Sequence, residues 1–86
     1  MYEVRLSTQA YRTYSHLDSK TQKRINKIVD SMEKGYFHKN NIISLHGALA
    51  GNLRYRFGDW RIVFTIDYVN QVVFIKSISS RGDAYR

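Results

Sequence analysis

The sequence contains neither cysteine nor proline, and no apolar run in its 86 residues approaches the roughly 18 residues that a membrane-spanning helix needs. Without cysteine, a disulfide framework, a thiolate nucleophile and a cysteine-based metal site are all excluded. The N-terminal residues are polar and charged and show no secretory signal or anchor. We therefore expect a cytoplasmic protein that makes no contact with a membrane.

Acidic residues are also scarce. Lys and Arg outnumber Asp and Glu by 14 to 7, which gives a net charge of +7. This charge favours a polyanionic partner, either nucleic acid or an acidic protein. The length and the hydrophobic content of 43% predict a single compact domain over residues 1–86.

The most informative stretch runs from residue 52 to residue 66 and reads as two alternating strands joined at Gly58-Asp59. Both of these residues tolerate the backbone angles of a tight hairpin. With a two-residue loop, one face of the hairpin is apolar and carries Leu53, Tyr55, Phe57, Trp60, Ile62 and Phe64. Because successive side chains of a strand alternate sides, the other face carries Asn52, Arg54, Arg56, Arg61, Val63 and Thr65.

This register places Arg56 opposite Arg61. Like charges on facing strand positions repel each other, so a sheet that only had to fold would gain from another residue there. The arginine fork suits two-point contact with a phosphate, which makes a nucleic-acid backbone the natural candidate ligand. The alternative is a solvated outer face that the arginines cover with their alkyl stems.

The rest of the chain predicts an α+β arrangement. Tyr2 to Leu6 alternates as a half-buried strand, and Ser7 or Thr8 can cap a helix over residues 8–17. A second helix is expected to have Ser19 as its cap and to end at Gly35. Residues 36–51 read as a loop with a short strand at 42–45, and residues 72–78 read as a further strand. The exposed face of the second helix carries four cations that form either a solvated surface or a second contact with a large polyanion: Lys20, Lys23, Arg24 and Lys27.

The C-terminal residues approach the arginines if the last strand pairs antiparallel with the second hairpin strand. Arg54, Arg56, Arg61 and Arg81 would then converge near Tyr85. Positive charges held around a phosphate stabilise a five-coordinate phosphoryl transition state without a metal or a covalent intermediate. We predict neither a metal nor a cofactor. Tyrosine and arginine titrate far above pH 7, so such a site should be slow unless a partner holds the RNA in a reactive geometry.

Three motifs together carry a family resemblance: Leu45-x-Gly47, the run from Arg54 to Phe64, and the terminal Ser80-Arg81-Gly82-Asp83-Ala84-Tyr85-Arg86. With the opening strand and two helices, they resemble the RelE/ParE superfamily of type II toxin–antitoxin systems over nearly the whole chain. The resemblance implies a microbial-ribonuclease-like α+β fold in which two N-terminal helices pack on a small twisted antiparallel sheet. It also implies a cognate antitoxin as partner.

The resemblance further implies a metal-independent endoribonuclease that cuts mRNA in the ribosomal A site by attack of the 2′-hydroxyl, and so inhibits translation. Arg54 and Arg56 would hold the RNA backbone and Arg61 would stabilise the transition state. Arg81 would assist the leaving 5′-oxygen, and Tyr85 would stack on a base or act as the general base.

Ser80 departs from this pattern, because many relatives have histidine at that position. Proton transfer is thereby left to Arg81 and Tyr85 or to a group outside the chain. ParE-like members share the fold and poison gyrase by binding, which is the alternative function. A basic RNA- or protein-binding module without toxicity is a third interpretation.

Overall fold

The structure is a computed structural model that describes residues 1–80. That part of the chain forms two α-helices, five strands and one 3₁₀ turn at Gly47–Leu49. Neither helix is long and apolar enough to cross a membrane. The elements are β1 (Glu3–Leu6), α1 (Thr8–Ser15), α2 (Ser19–Glu33), β2 (Ile42–Ser44), β3 (Leu53–Phe57), β4 (Trp60–Asp67) and β5 (Val72–Ser80).

Side-chain caps start both helices. Of the two predicted caps of α1, Ser7 is the one that forms, and its Oγ accepts a hydrogen bond from the backbone N–H of Ala10 at 3.0 Å. The predicted cap of α2 is wrong, because Ser19 is the first helical residue and Asp18 is the cap. Asp18 adopts extended backbone angles and accepts hydrogen bonds from the backbone N–H and the hydroxyl of Thr21. A carboxylate also suits the positive end of the helix dipole.

Helix α1 ends at Ser15, two residues before the predicted end at residue 17. The N–H groups of His16 and Leu17 donate to the carbonyl groups of Thr13 and Tyr14, which is the tighter spacing of a 3₁₀ turn. This turn redirects the chain into α2. The helical spacing of Ala10, Tyr14 and Leu17 still places all three against the core.

The sheet has the strand order β1-β5-β4-β3-β2. All neighbouring strands are antiparallel except β1, which lies parallel to β5. The expectation of a small antiparallel sheet therefore describes four of the five strands. A parallel pair requires a long crossover connection, and here both helices and the three middle strands lie between β1 and β5 in the chain.

The hairpin register agrees with the sequence prediction. Arg56 lies opposite Arg61, Phe57 lies opposite Trp60, and a two-residue loop joins the strands. Gly58 in this loop has a φ of +55°, which glycine adopts at little steric cost. The apolar face of the hairpin turns toward the helices, because Phe57, Ile62 and Phe64 are buried in one core with residues of both helices.

The core lies between that sheet face and the two helices. Its buried members include Ile25 and Met32 of α2 and Ile62 and Phe64 of β4. Because both helices pack on the same side, the opposite side of the sheet has no covering helix among residues 1–80. We call this side the open face.

Candidate nucleic-acid interface

A groove of about 480 Å³ lies on the open face, between the sheet and the loop that joins β2 to β3. We call it the basic groove. Arginine and lysine side chains share its lining with leucine, alanine and valine. Of the described residues that line it, none is Asp or Glu. They are Leu45, Ala48, Leu49, Asn52, Arg54, Arg61, Val63, Lys76, Ser77 and Ser79.

The loop between β2 and β3, which forms one side of the groove, is held together at its base by a backbone hydrogen bond. The N–H of Leu45 donates to the carbonyl of Asn52 at 3.0 Å, so the β2–β3 ladder continues to the base of the loop. Within the loop, Gly47 and Gly51 have φ values of +67° and +90°. These left-handed conformations fold six residues into a compact wall beside the sheet, and glycine adopts them without strain.

Arg61 and Arg54 supply positive charge inside the groove. Arg61 is only 7% exposed and lies on β4 between Arg56 of β3 and Ser79 of β5. Arg54 is half-buried, and its Nε has no hydrogen-bond partner among residues 1–80. Arginine remains protonated even when it is buried, and burial strengthens its interaction with an anion. The groove therefore presents fixed cations to a negatively charged ligand.

Arg56 is on the same face of the hairpin but is exposed and lies outside the lining of the groove. Its strand position is directly opposite Arg61. Arg56 thus extends the positive surface from the groove toward the hairpin turn, where it can contact a chain that leaves the groove.

Lys76 is a further cation of the groove that the sequence analysis missed. In the β4–β5 pair, Val63 lies opposite Ser77 whereas Phe64 lies opposite Ile75, so Lys76 is the extra residue of a β-bulge. Because of this extra residue, the side chain of Ile78 is again buried in the core although two consecutive polar residues, Lys76 and Ser77, precede it. Two polar residues inside an otherwise alternating strand are the signal that predicts such a bulge.

The structure does not bring the four predicted cations of α2 together with the groove. Lys20, Lys23 and Lys27 are exposed on a helix that packs against the other side of the sheet. Arg24 reaches the hairpin, where its Cζ lies 5.1 Å from the ring centroid of Phe57. This cation–π contact lies at the hairpin turn, away from the groove lining.

The end of β5 returns to the hairpin as predicted. Ser79 lies opposite Arg61 and Ser80 lies opposite Trp60, and the strand runs two residues beyond the predicted end at Ile78. Arg81 and Tyr85, two of the three predicted catalytic residues, lie outside the described residues. Within residues 1–80, no cluster of three or more histidine and carboxylate side chains is arranged to hold a metal ion.

Comparison with known proteins gives matches at the level of structure. Neither protein-family models nor curated proteins match the chain. The RelE of the archaeal RelE–RelB complex from Pyrococcus horikoshii OT3 superposes with a TM-score of 0.81 at 24% identity, covering 96% of this chain and 98% of that one. The chain has the RelE/ParE toxin fold.

Two further structures carry the same fold. The toxin–antitoxin complex RelBE2 from Mycobacterium tuberculosis matches at 28% identity with a TM-score of 0.66, covering 93% of this chain and 98% of that chain. A YoeB/ParE toxin from Agrobacterium tumefaciens matches at 16% identity with a TM-score of 0.79, and the match covers 91% of this chain and 96% of that chain. The RelE/ParE resemblance expected from the motifs is thereby confirmed, as is the α+β fold class.

Proposed function

We propose that this protein is the toxin of a type II toxin–antitoxin system and acts as a ribosome-dependent mRNA endonuclease. The observation that carries the proposal is the basic groove on the open face of a RelE/ParE fold. Arg54, Arg61 and Lys76 line this groove, and no carboxylate of the described residues accompanies them. A phosphate of single-stranded RNA has the charge and the size for such a site.

The groove supports catalysis through electrostatic stabilisation. In the proposed reaction, the 2′-hydroxyl of one nucleotide attacks the adjacent phosphorus, and the 5′-oxygen of the next nucleotide leaves. The five-coordinate transition state carries more negative charge than the ground state, so cations already in place stabilise it preferentially. Arg61 suits this role because its burial and its place between two strands hold it in position.

Arg54 and Arg56 are assigned to holding the RNA backbone on either side of this phosphate. By the resemblance, Arg81 would neutralise the leaving oxygen, and Tyr85 would stack on a base or accept the proton of the 2′-hydroxyl. Neither ordinary arginine nor ordinary tyrosine is a good proton acceptor at pH 7. A ribosome that fixes the attacking oxygen in line with the leaving oxygen would compensate through orientation.

The cations of α2 are proposed to make a second contact with a large polyanion. Lys20, Lys23 and Lys27 point away from the sheet, so they cannot share a short RNA with the groove. On a ribosome, both sides of the protein can face RNA. Replacing these lysines with glutamine should weaken action on ribosomes while the affinity for a short RNA stays unchanged.

An antitoxin is the second proposed partner. Several of the similar solved structures are complexes of a toxin with its antitoxin, among them RelE–RelB of Pyrococcus horikoshii, RelBE2 of Mycobacterium tuberculosis and YoeB–YefM of Staphylococcus aureus. The net charge of +7 suits an acidic binding segment on such a partner. Action on translating ribosomes would place the protein in the cytoplasm.

The test uses purified protein, freed of any antitoxin, with programmed ribosomes and with the same mRNA alone. We expect cleavage only on the ribosome, reduced about 10²–10³-fold in Arg61→Ala, as for loss of one donor to a transition-state oxyanion. Arg12→Ala, which removes an exposed arginine of α1, is the matched control. Thermal melting verifies that each variant is folded. Undiminished cleavage by folded Arg61→Ala would remove the basis of the site assignment.

Gyrase binding without cleavage is the second candidate function, and one similar solved structure is a YoeB/ParE toxin. The same protein preparation would then block supercoiling or trap gyrase on broken DNA while ribosomal mRNA stays intact. Measuring both activities side by side separates the two functions.

A further inference from the structure

The basic groove has an apolar wall that phosphate binding does not require. Leu45 and Leu49 of the β2–β3 loop line the groove together with Val63 of the sheet. Leu49 is 52% exposed although it belongs to a short, hydrogen-bonded turn. Single exposed leucines are ordinary on protein surfaces, but this one shares a groove with three cations. The groove is therefore complementary to a ligand that combines an anionic group with an apolar surface.

The wall is held in place by Asn52. The backbone N–H and the side-chain Nδ2 of Asn52 both donate to the carbonyl of Leu49, at 3.1 and 2.9 Å. Since a carbonyl can only accept, these bonds assign the nitrogen of the amide to Leu49 and leave its oxygen as an acceptor. Asn52 is only 9% exposed, and its Oδ1 is buried with no hydrogen-bond partner among residues 1–80.

We propose that the basic groove binds one whole nucleotide of single-stranded RNA, with its base against Leu45 and Leu49 and its phosphate against the cations. The inference rests on the proposed function and adds a base-contacting wall to it. A base offers a flat apolar face that suits the exposed Leu49, and its phosphate offers the negative charge that the cations attract. The volume of about 480 Å³ lies within the roughly 300–1,000 Å³ typical of small-ligand sites.

Charge complementarity favours a nucleotide over other apolar ligands. Arg54, Arg61 and Lys76 attract an anion, and a phosphate joined to a base places charge and apolar surface a few bonds apart. An acidic peptide could also combine the two, so the experiment includes it as the competing occupant.

The test compares two 2′-O-methyl RNA trinucleotides, which cannot be cut by 2′-hydroxyl attack. One has a base at its middle nucleotide and the other is abasic there. We expect the full-length protein to bind the first about five- to tenfold more tightly, as measured by calorimetry or fluorescence anisotropy. In Leu49→Ser, this ratio should fall close to one while the affinity for the abasic strand stays the same.

Three control variants separate the base contact from other effects. Val69→Ser removes an apolar side chain that is 91% exposed in the β4–β5 turn, so it should keep the ratio. Leu49→Met retains an apolar wall and should also keep it. Arg54→Gln removes a phosphate contact and should weaken the binding of both RNA trinucleotides equally, leaving the ratio of their affinities unchanged.

Equal affinity of the unmodified protein for the two strands, including no measurable binding of either, would overturn the proposal. So would a ratio that survives Leu49→Ser. An acidic leucine-containing peptide that loses affinity in Leu49→Ser, with a strand ratio near one, would assign the wall to a protein partner. Cleavage on ribosomes without base discrimination would refute the base contact alone, and discrimination without cleavage would refute the nuclease alone.

Discussion

Replacing Lys76 with glutamine tests whether the bulge of β5 contributes a cation to RNA binding. The backbone of the bulge is held independently of the lysine side chain, because Ser7 Oγ donates to the Lys76 carbonyl at 2.6 Å. The Lys76 side chain itself is exposed and lines the basic groove. Lys76→Gln should therefore remove one charge while the fold and its melting temperature stay nearly unchanged.

The magnitude follows from counterion release. Each phosphate that a cation neutralises on a single strand adds about −0.7 to the slope of log K against log salt concentration. The three groove cations by themselves contribute about −2 to this slope, and Lys76→Gln should make the slope shallower by about 0.7. Losing the counterion-release contribution of this one cation should weaken RNA binding about fivefold at roughly 0.1 M monovalent salt.

The assay measures the dissociation constant of a 2′-O-methyl RNA hexanucleotide at four or more salt concentrations. Lys76→Arg keeps the charge and should keep the slope. Lys39→Gln is the matched control, because it removes the same charge outside the groove. Lys39 is exposed, and its Nζ donates to Ser31 Oγ at 3.2 Å. An unchanged slope in Lys76→Gln, or an equal change in Lys39→Gln, would refute the reasoning.

Three further predictions concern the scaffold. Gln9→Ala should lower the free energy of unfolding by about 1–2 kcal/mol in urea denaturation, because the Gln9 amide bonds both the N–H and the carbonyl of Ile78, at 3.2 and 3.1 Å; a change near zero would show that water replaces it. Phe64→Ala should cost about 3–5 kcal/mol in the same measurement, since Phe64 is fully buried; a smaller loss would indicate that the core collapses around the cavity. Hydrogen bonds from Thr21 hold the pKa of Asp18 below its ordinary value of 3.8, so its contribution to stability is present above that value and is lost as pH falls through the lowered pKa. Asp18→Asn keeps a cap and should remove this acid dependence, and denaturation at neutral and acidic pH checks it.

The sequence alone determined the hairpin and its charge. Side chains alternate along a strand, and a two-residue loop admits one register, so the facing positions of Arg56 and Arg61 could be read directly from the order of residues. The apolar stripe of α2 was likewise legible from its helical spacing, and Ile25, Ile28 and Met32 are buried. These features depend on neighbours close in the chain.

The tertiary structure decided which other groups join the arginines. Lys76 enters the groove because a bulge in β5 arises from its pairing with β4, and Leu49 enters because the glycine-containing loop folds back on the sheet. The parallel position of β1 also depends on pairing across most of the chain. Such contacts are set by the packing of distant segments, whereas the local pattern of residues constrains only each segment by itself.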